Sequence, residues 1–282
     1  MNPSAHRFTQ LDVFTERALA GNPLAVVHGA DDLDDARMAA FARWTNLSET
    51  TFLLPPTEPG ADYRVRIFTP TVELPFAGHP TLGSCHAWLA AGGQPRRDGE
   101  VVQQCGVGLV RIRRDGARLA FAAPPRRRRG PLDEATVERI AHFLQLPRRA
   151  IVAHQHCDNG PGWKAVMLAS AAEVLALRPR LGSESNLEIG VVGSHGVDAQ
   201  PAFEVRAFFP APGGSLAEDP VTGSLNAALA QWLIGEGLAP PRYVAAQGAA
   251  LGRAGRVHVL QDGADIWIGG DSVAVVRGEV VL

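Results

Sequence analysis

A long internal repeat is the feature that most constrains how this chain folds. Residues 63–90 and 203–230 match without a gap at a shift of 140, with identical residues at 11 of 28 positions. Further along, residues 110–121 match residues 257–268 at a shift of 147. Solenoid repeats have periods of roughly 20–50 residues. A period near 140 therefore predicts two similar domains, one in each half of the chain.

The repeat also predicts the domain boundaries. The first domain is predicted at 1–123 and the second at 148–270. A linker with a connecting helix, at 124–147, joins them, and a C-terminal strand follows at 271–282. The linker opens with a stretch rich in Pro and Arg, and Val137, Ile140 and Leu144 then recur at helical spacing before Pro147. The sequence pattern does not decide whether the C-terminal strand returns to the first domain.

Two nearly uncharged segments predict the centre of each domain. Residues 80–91 and 220–234 are rich in Ala, Leu and Gly. A helix that is apolar on every side is buried on every side, so we expect each segment to lie inside a sheet wrapped around it. The flanking runs are short and rich in β-branched and aromatic residues, which is typical of strands. An amphipathic helix is predicted around Met38, Phe41 and Trp44, which share one face.

The two buried helices begin alike, with a polar residue followed by proline. The starts read Gly78-His79-Pro80 and Glu218-Asp219-Pro220. Proline suits the first helical position because the amide groups there have no intrahelical partner, and Asp219 would serve as an N-cap. Each start would present free amides and the positive end of the helix dipole, which bind a carboxylate or a phosphate. Two well-capped structural helices are the alternative interpretation.

The repeat is broken at two titratable positions. At the shift of 140, His79 aligns with Asp219, and Glu49 aligns with Ile189. Because the carboxylate occurs only in the first half, we expect that half to carry the catalytic acid or base, and we expect this residue to be Glu49. Apolar surroundings would raise the pKa of that carboxyl toward the range useful in proton transfer. A structural role for Glu49 at the surface is the alternative.

Composition argues against several classes of function. The chain has 27 basic and 29 acidic residues and a net charge of −2, which disfavours nucleic acid or an anionic membrane as a partner. No apolar run reaches the ~20 residues of a membrane span, and the first ten residues lack the apolar stretch of a signal peptide. Three cysteines without close spacing give no disulfide framework. We therefore expect a cytoplasmic protein.

Two other functions fit the same residues. Ser224, His79 and Asp219 have the side chains of a hydrolase triad, but the sequence around Ser224 does not fit the Gly-x-Ser-x-Gly elbow. A non-catalytic protein that binds an anionic metabolite at the two helix starts is the stronger competitor. In that case Glu49 would only stabilise the structure, and its replacement by glutamine would leave ligand affinity nearly unchanged.

No metal or cofactor is expected from the sequence. His154, His156 and Cys157 lie close together, but no second ligand cluster accompanies them at zinc-binding spacing. No phosphate-cradling loop or dinucleotide fingerprint is present. The four consecutive arginines at 126–129 would attract an anion, although a solvated linker face is the simpler explanation.

Four stretches of the sequence resemble the PhzF-like isomerases, a family named for phenazine biosynthesis. They are DVFTERALAGNPLAVV at 12–27, NLSET at 46–50, FTPTVELPFAGHPTLG at 68–83 and DPVTGS at 219–224, in family order and spacing. The resemblance covers essentially the whole chain. It implies the diaminopimelate epimerase-like fold, an α+β architecture of two pseudo-symmetric domains. Each domain would be a curled, mostly antiparallel sheet or barrel around a central buried helix.

The same resemblance implies roles for individual residues, at a site between the domains. Glu49 in NLSET would shuttle the proton, while His79 and Asp219 would orient and polarise the substrate. The substrate would be held at the helix starts by Gly78, Gly223 and Ser224. The family prototype isomerises 2,3-dihydro-3-hydroxyanthranilate without a cofactor, so we expect a small, carboxylated, cyclic substrate. Membership of this family would also imply a homodimer.

Thiol chemistry is not expected at this site. The epimerase and racemase relatives of the fold use two cysteines, one at each helix start. In this sequence His79 and Asp219 occupy those places, and Cys85 lies inside the first buried helix, where it is expected to belong to the core. Thiol-based epimerisation is therefore disfavoured.

Overall fold

The computed structural model describes residues 4–179, 187–210 and 216–282. The chain forms two compact units, one consisting of Met1–Ala122 with Gly269–Leu282 and the other of Ala123–Ile268. Positions 211–215 of the second repeat lie outside the described residues.

From residue 4 to residue 122, the first unit consists of eight strands and two helices. In chain order they are β1 (Ala5–Val13), β2 (Asn22–Val27), α1 (Asp35–Thr45), β3 (Glu49–Leu54), β4 (Tyr63–Phe68), β5 (Glu73–Leu74), α2 (Gly78–Ala90), β6 (Glu100–Cys105), β7 (Gly108–Asp115) and β8 (Arg118–Ala122).

The rest of the chain begins with a helix and then repeats the same alternation. Its elements are α3 (Glu134–Leu144), β9 (Ala153–His156), β10 (Lys164–Met167), α4 (Ala171–Ala176), β11 (Ile189–Ser194), β12 (Phe203–Pro210), β13 (Leu216–Asp219), α5 (Gly223–Gly235), β14 (Arg242–Gln247), β15 (Gly255–Asp262), β16 (Asp265–Gly270) and β17 (Ser272–Val281). Short 3-10 turns lie at Arg148–Ala150 and Ala249–Leu251.

The strands of the first unit pair into a mostly antiparallel sheet. Their order is β17, β1, β2, β3, β4, β6, β7, β8, and β5 pairs with the end of β4. Only β2–β3 and β4–β6 among these pairs are parallel. Strands from both ends and from the middle of this order contact α2. The sheet therefore curls around that helix.

A glycine allows α2 to lie close to the sheet. A Cβ atom at Gly83 would lie 2.5 Å from Cδ2 of Leu24 and 2.8 Å from Cγ2 of Val13. Both distances are shorter than any ordinary carbon contact, so a larger side chain would push the helix away from β1 and β2. The apolar composition of α2 follows from this enclosure, because Leu82 and Cys85 are fully buried.

The second unit repeats the strand pairing of the first. Its order is β9, β10, β11, β12, β14, β15, and β13 pairs with the end of β12. The parallel pairs, β10–β11 and β12–β14, occur at the positions equivalent to those of the first unit. In chain order, the apolar helix α5 follows the short strand β13 and precedes β14, as α2 follows β5 and precedes β6. The predicted α+β fold class, with a mostly antiparallel sheet and a buried central helix, is confirmed.

The two central helices do not begin where the sequence pattern places them. Helix α2 begins at Gly78, so Pro80 is its third residue, and α5 begins only at Gly223 with Thr222 as N-cap. The prediction of Asp219 as N-cap is wrong, because that residue ends β13. At the shift of 140, residues that are helical in α2 therefore form a strand end and a turn in the second unit.

Two peripheral helices follow the sequence pattern more closely. Helix α1 begins after Asp34, whose side chain accepts a hydrogen bond of 2.8 Å from the backbone N–H of Arg37. Met38 and Phe41 face the core, but Trp44, expected on the same face, is 80% exposed. The core contacts of α1 end at Ala42, so the indole of Trp44 extends past them and stacks on the ring of Phe41.

The connecting helix agrees with its predicted spacing. In α3 the predicted apolar residues Val137, Ile140 and Leu144 are all buried. Within residues 4–179, 187–210 and 216–282, no helix has the length and hydrophobicity that a bilayer-spanning helix requires.

Candidate active site

The first unit brings Glu49 and His79 into contact. Glu49 is the first residue of β3, and His79 is the second residue of α2. The Oε2 atom of Glu49 lies 3.4 Å from Nε2 of His79, and the two side chains are 15% and 6% exposed. A carboxyl group and an imidazole are thus held together almost out of contact with solvent.

Burial keeps the imidazole of His79 neutral. Removal from solvent lowers the pKa of His79 from its usual 6.5 to about 3, and a hydrogen bond to the backbone of Pro23 opposes this shift only in part. The other ring nitrogen, Nδ1, lies 3.4 Å from Nδ2 of Asn22. Near neutral pH, His79 is therefore a neutral neighbour of Glu49, and its ring is oriented by groups at the start of β2.

The lowered pKa of His79 predicts a loss of stability in acid. Because the unfolded chain takes up the proton at a higher pH than the folded one, the free energy of unfolding should fall as the pH drops from about 6.5 toward 3. The variant His79→Asn should lose less stability over this window than the wild type. Urea unfolding followed by circular dichroism at several pH values measures the difference.

A histidine elsewhere provides the control for this measurement. His142 on α3 is exposed, so His142→Asn should leave the pH dependence of unfolding as it is in the wild type. An unchanged slope for His79→Asn would contradict a neutral, buried His79. The half-buried His28, whose pKa burial and Arg7 lower to about 4, contributes to the same window and remains present in both variants.

The start of α2 places backbone donors beside this pair. Its N-cap residue, Ala77, forms no side-chain capping bond, and the first intrahelical bond is donated by the N–H of Thr81. The amides of Gly78 and His79 precede that bond, and both residues are buried. The helix dipole makes this end positive, which favours a bound anion.

In the second unit, Asp219 lies in a hydrogen-bonded turn before α5. The Oγ1 hydroxyl of Thr222 donates to Oδ2 of Asp219 at 2.6 Å. Gln247 braces the turn, because its Nε2 donates to the Asp219 carbonyl at 3.1 Å and its Oε1 accepts from the N–H of Thr222 at 3.1 Å. Asn226 donates to the same Oε1 atom at 2.9 Å. The carboxylate is thus held by the Thr222 hydroxyl, while Gln247 of β14 and Asn226 of α5 hold the backbone of the turn.

Gly223 and Ser224 form the first turn of α5. The side chain of Ser224 accepts a hydrogen bond of 3.0 Å from Nε1 of Trp163, and its carbonyl accepts one of 2.8 Å from Nδ2 of Asn159. The first intrahelical bond of α5 is donated by Asn226 to Thr222. The N–H groups of Gly223 and Ser224 lie before it, as do those of Gly78 and His79 in α2.

The side-chain partners of Ser224 do not support a hydrolase. A catalytic serine needs a neighbouring base that accepts its proton. The indole N–H of Trp163 is a donor only, so it cannot take that role. In this position the Ser224 hydroxyl serves instead as a polar group that is fixed in orientation.

The histidine and cysteine positions considered for a metal have other partners. Nδ1 of His154 accepts a hydrogen bond from the backbone N–H of Leu132 at 3.1 Å, and Sγ of Cys157 lies 3.8 Å from the Ala228 carbonyl. In the described part of the chain, no three His, Cys, Asp or Glu side chains are grouped closely enough to hold a metal ion.

The thiol inside α2 is a poor nucleophile. Cys85 is fully buried inside α2, and burial raises its pKa to about 12. At neutral pH the sulfur therefore keeps its proton, whereas catalysis by cysteine needs the thiolate.

Sequence reasoning missed the groups that position the expected site residues. Asn22 lies within the stretch 12–27 that resembles the family, but only its contact with His79 reveals a role. Trp163 and Gln247 are far from Ser224 and Asp219 in sequence, and nothing in the local pattern singles them out. Their partners depend on strand pairing and not on spacing along the chain.

The chain is similar in sequence to a known protein family and to several of its members. A family model described as phenazine biosynthesis-like protein matches residues 11–278. Antisense-enhancing sequence 1 of Schizosaccharomyces pombe is 33% identical over 296 residues, which cover 97% of this chain and 98% of that protein. A trans-2,3-dihydro-3-hydroxyanthranilate isomerase of Pseudomonas aeruginosa is 32% identical over 299 residues, which cover 98% and 100%.

A solved structure extends the comparison to the fold. The structure of a predicted epimerase from Pseudomonas aeruginosa is 28% identical to this chain, with a TM-score of 0.78 over 98% of this chain and 99% of that one. Sequence and structure thus point to the same group of proteins, in which several relatives are named isomerases.

Proposed function

This chain is an isomerase of the phenazine biosynthesis-like family, and from that premise we propose that it moves a proton between two carbon atoms of a small, carboxylated, cyclic metabolite. Glu49 acts as the acid and base, and no cofactor takes part. The contact between Glu49 and the neutral His79 is the observation that carries this proposal.

The environment of Glu49 suits the abstraction of a proton from carbon. A carboxylate that is largely withdrawn from water is a stronger base than one in solution, because its charged form is less well solvated. A cationic histidine at 3.4 Å would cancel this effect by stabilising the carboxylate. Burial prevents that, since His79 is neutral at the pH at which most enzymes work.

The neutral imidazole of His79 can hydrogen-bond to Glu49 both before and after Glu49 takes a proton from the substrate. With its hydrogen on Nε2, the ring donates to the Glu49 carboxylate, which is the state before proton abstraction. After Glu49 takes up the proton on its other carboxyl oxygen, the same Nε2–H can still donate to Oε2, so the ring keeps its own hydrogen through both halves. The distance of 3.4 Å between the two side chains brings both arrangements within a small movement.

We assign the polar groups of the helix starts to substrate binding. The amides around Gly78 and Gly223 would bind the carboxylate of the substrate, and Ser224 would donate or accept a further hydrogen bond. Asp219 would orient an amino or hydroxyl group of the substrate. The hydrogen bond from Thr222 supports this role, because it fixes the carboxylate of Asp219 in one orientation.

Incubation with 2,3-dihydro-3-hydroxyanthranilate in D₂O tests the proposed reaction. The substrate is chosen because a relative named for it shares 32% identity across nearly the whole chain. We expect turnover that persists after dialysis against a chelator, with a product detected by proton NMR. Little deuterium in the product would mean that Glu49 returns the same proton it removed, in a site closed to water.

The proposal would be contradicted by a lack of activity on all small cyclic carboxylic acids tested, and not on this substrate alone. If neither this substrate nor a panel of other small cyclic carboxylic acids shows turnover or exchange of a carbon-bound proton, then Glu49 is not a base for such compounds. Turnover that is lost on dialysis and restored by a metal ion or a nucleotide would contradict the absence of a cofactor.

A further inference from the structure

The Ser224 hydroxyl is hydrogen-bonded to a side chain that can only donate. Nε1 of Trp163 lies 3.0 Å from Oγ of Ser224. An indole nitrogen carries a hydrogen and accepts none, whereas a hydroxyl group both donates and accepts. Ser224 is therefore the acceptor in this bond. Within the described part of the chain, Trp163 is the one hydrogen-bond partner of this hydroxyl, so the hydrogen of Ser224 is still available to a ligand.

The indole of Trp163 is held in place, while Ser224 is accessible. Trp163 is only 4% exposed, and its carbonyl accepts a hydrogen bond of 2.9 Å from the N–H of Cys157. Asn159, in the same loop between β9 and β10, donates from Nδ2 to the Ser224 carbonyl at 2.8 Å. This loop thus fixes both the indole and the start of α5. Ser224 itself is only partly buried, which leaves it open to a small ligand.

The first repeat uses the equivalent serine differently. Ser84 aligns with Ser224 at the shift of 140. It is fully buried, and its hydroxyl donates to Oγ1 of Thr51 at 2.9 Å. The hydrogen of Ser84 therefore takes part in a bond inside the first unit, whereas the hydrogen of Ser224 does not. This difference between equivalent positions indicates that the second serine serves a molecule from outside the chain.

We propose that Trp163 is a positioning residue, which makes Ser224 a hydrogen-bond donor to the carboxylate of the substrate. The inference rests on the proposed function, which assigns substrate binding to Ser224. The indole N–H donates to Oγ of Ser224, and the hydroxyl then donates to a carboxylate oxygen. Hydrogen bonds that run in one direction polarise each other, so the indole strengthens the bond between the hydroxyl and the ligand.

This arrangement discriminates between ligands by charge. A hydroxyl bonds more strongly to a carboxylate oxygen than to the neutral carbonyl oxygen of an amide. The NH₂ group of an amide, which has nearly the same shape, accepts no hydrogen bond at all. Phenylalanine at position 163 would remove the indole N–H, and the Ser224 hydroxyl could then rotate and donate elsewhere. We therefore expect Trp163→Phe to weaken the binding of a carboxylate more than that of the matching amide.

Calorimetry with 3-hydroxyanthranilate and its carboxamide tests this role. The first is the aromatic counterpart of the substrate tested above, so it offers the same carboxylate without the proton to be transferred. Trp163→Phe should raise the dissociation constant of the carboxylate by about three- to tenfold and that of the amide by less than about twofold. Ser224→Ala should raise the first by about tenfold or more. The double variant should bind the carboxylate like Ser224→Ala, because Trp163 acts through that hydroxyl.

The indole N–H signal of Trp163 gives a second readout, which a purely structural role would not change. The chain has five tryptophans, and the ¹⁵N–¹H signal that is lost in Trp163→Phe identifies this one. Addition of the carboxylate should move the signal downfield, because a hydroxyl that donates to an anion becomes a better acceptor. The signal should not move in Ser224→Ala, a titration in which the indole is intact.

Trp232→Phe is the matched control. Trp232 is buried in α5, and its Nε1 atom has no hydrogen-bond partner among the described residues. The same substitution at this position should therefore leave both dissociation constants within about twofold of the wild type. Circular dichroism should show that every variant is folded.

Three results would overturn the role of Trp163. They are equal weakening by Trp163→Phe and Trp232→Phe, losses for Trp163→Phe and Ser224→Ala that add in the double variant, and a wild type that does not bind the carboxylate. Failure of the proposed reaction gives a different result. If the carboxylate binds with the expected coupling but the substrate is not turned over, the role of Trp163 stands and the chemistry proposed for Glu49 does not.

Discussion

Glu49→Gln is expected to lower kcat by roughly 10²- to 10⁴-fold, which is the usual contribution of a general acid or base. Glutamine has the shape and hydrogen-bonding atoms of glutamate but cannot take up a proton at neutral pH. It can still pair with the neutral His79, so the site should keep its geometry. Binding of substrate should persist while proton transfer fails, so kcat should fall far more than KM changes. Steady-state kinetics and NMR in D₂O measure both.

The second repeat supplies a matched control for this variant. Glu188 directly precedes Ile189, the residue that aligns with Glu49, so it lies just before β11, whereas Glu49 is the first residue of β3. Its partner is Lys164, with an Nζ to Oε2 distance of 3.5 Å. Glu188→Gln should leave kcat within about twofold of the wild type. If Glu49→Gln kept more than about a tenth of the wild-type rate, Glu49 would not be the base.

Much of the fold can be predicted from this sequence because the repeat reports on strand pairing. Residues that match at a shift of 140 lie in strands with equivalent partners, such as the antiparallel pairs β4–β5 and β12–β13. The apolar composition of the central helices indicates their enclosure for the same reason, since only a buried helix can be apolar on all sides. The repeat and the apolar composition each involve many residues, so a single residue that departs from the pattern does not change the prediction.

The helix start in the second unit could not be predicted in this way. Proline at position 220 fits the first residue of a helix, but the turn there is held by Gln247, which lies 25 residues beyond Thr222. One amide side chain accepts the N–H of Thr222 and donates to the Asp219 carbonyl, and this keeps Asp219 at the end of β13. A long-range hydrogen bond thus overrides the local capping preference. For the candidate site, the sequence predicts which residues matter but not the groups that orient them.

Arg206→Met is expected to destabilise the second unit by about 3–5 kcal/mol, because it removes one partner of a buried ion pair. Nη2 of Arg206 lies 2.7 Å from Oε2 of Glu218, and the two side chains are only 5% and 4% exposed. Nη1 of Arg206 also donates to the carbonyls of Val174 and Leu177 at the end of α4. Methionine would fill much of the volume and leave a buried carboxylate without its cation. Equilibrium unfolding in urea measures the loss.

The first repeat holds the same pair in a different environment. Arg66 aligns with Arg206, its Nη2 atom lies 2.7 Å from Oε2 of Glu73, and the side chains are 20% and 41% exposed. Each guanidinium also lies over a phenylalanine ring, at 5.0 Å from Phe68 and 5.1 Å from Phe208. Distance and stacking are the same, but the first pair is more exposed, and Arg66 also pairs with the exposed Asp35. Solvent screens the exposed pair, so Arg66→Met should cost about 1 kcal/mol or less.

A double variant separates the loss of attraction from the burial of an unpaired charge. Arg206→Met combined with Glu218→Leu removes both charges, and replacing a buried ion pair by apolar side chains is often close to neutral. We therefore expect the double variant to be more stable than Arg206→Met alone, although the α4 carbonyls still lack their donor. Equal losses for Arg66→Met and Arg206→Met would mean that burial does not control the strength of these pairs. A double variant less stable than Arg206→Met would mean that the uncompensated Glu218 is not the source of the loss.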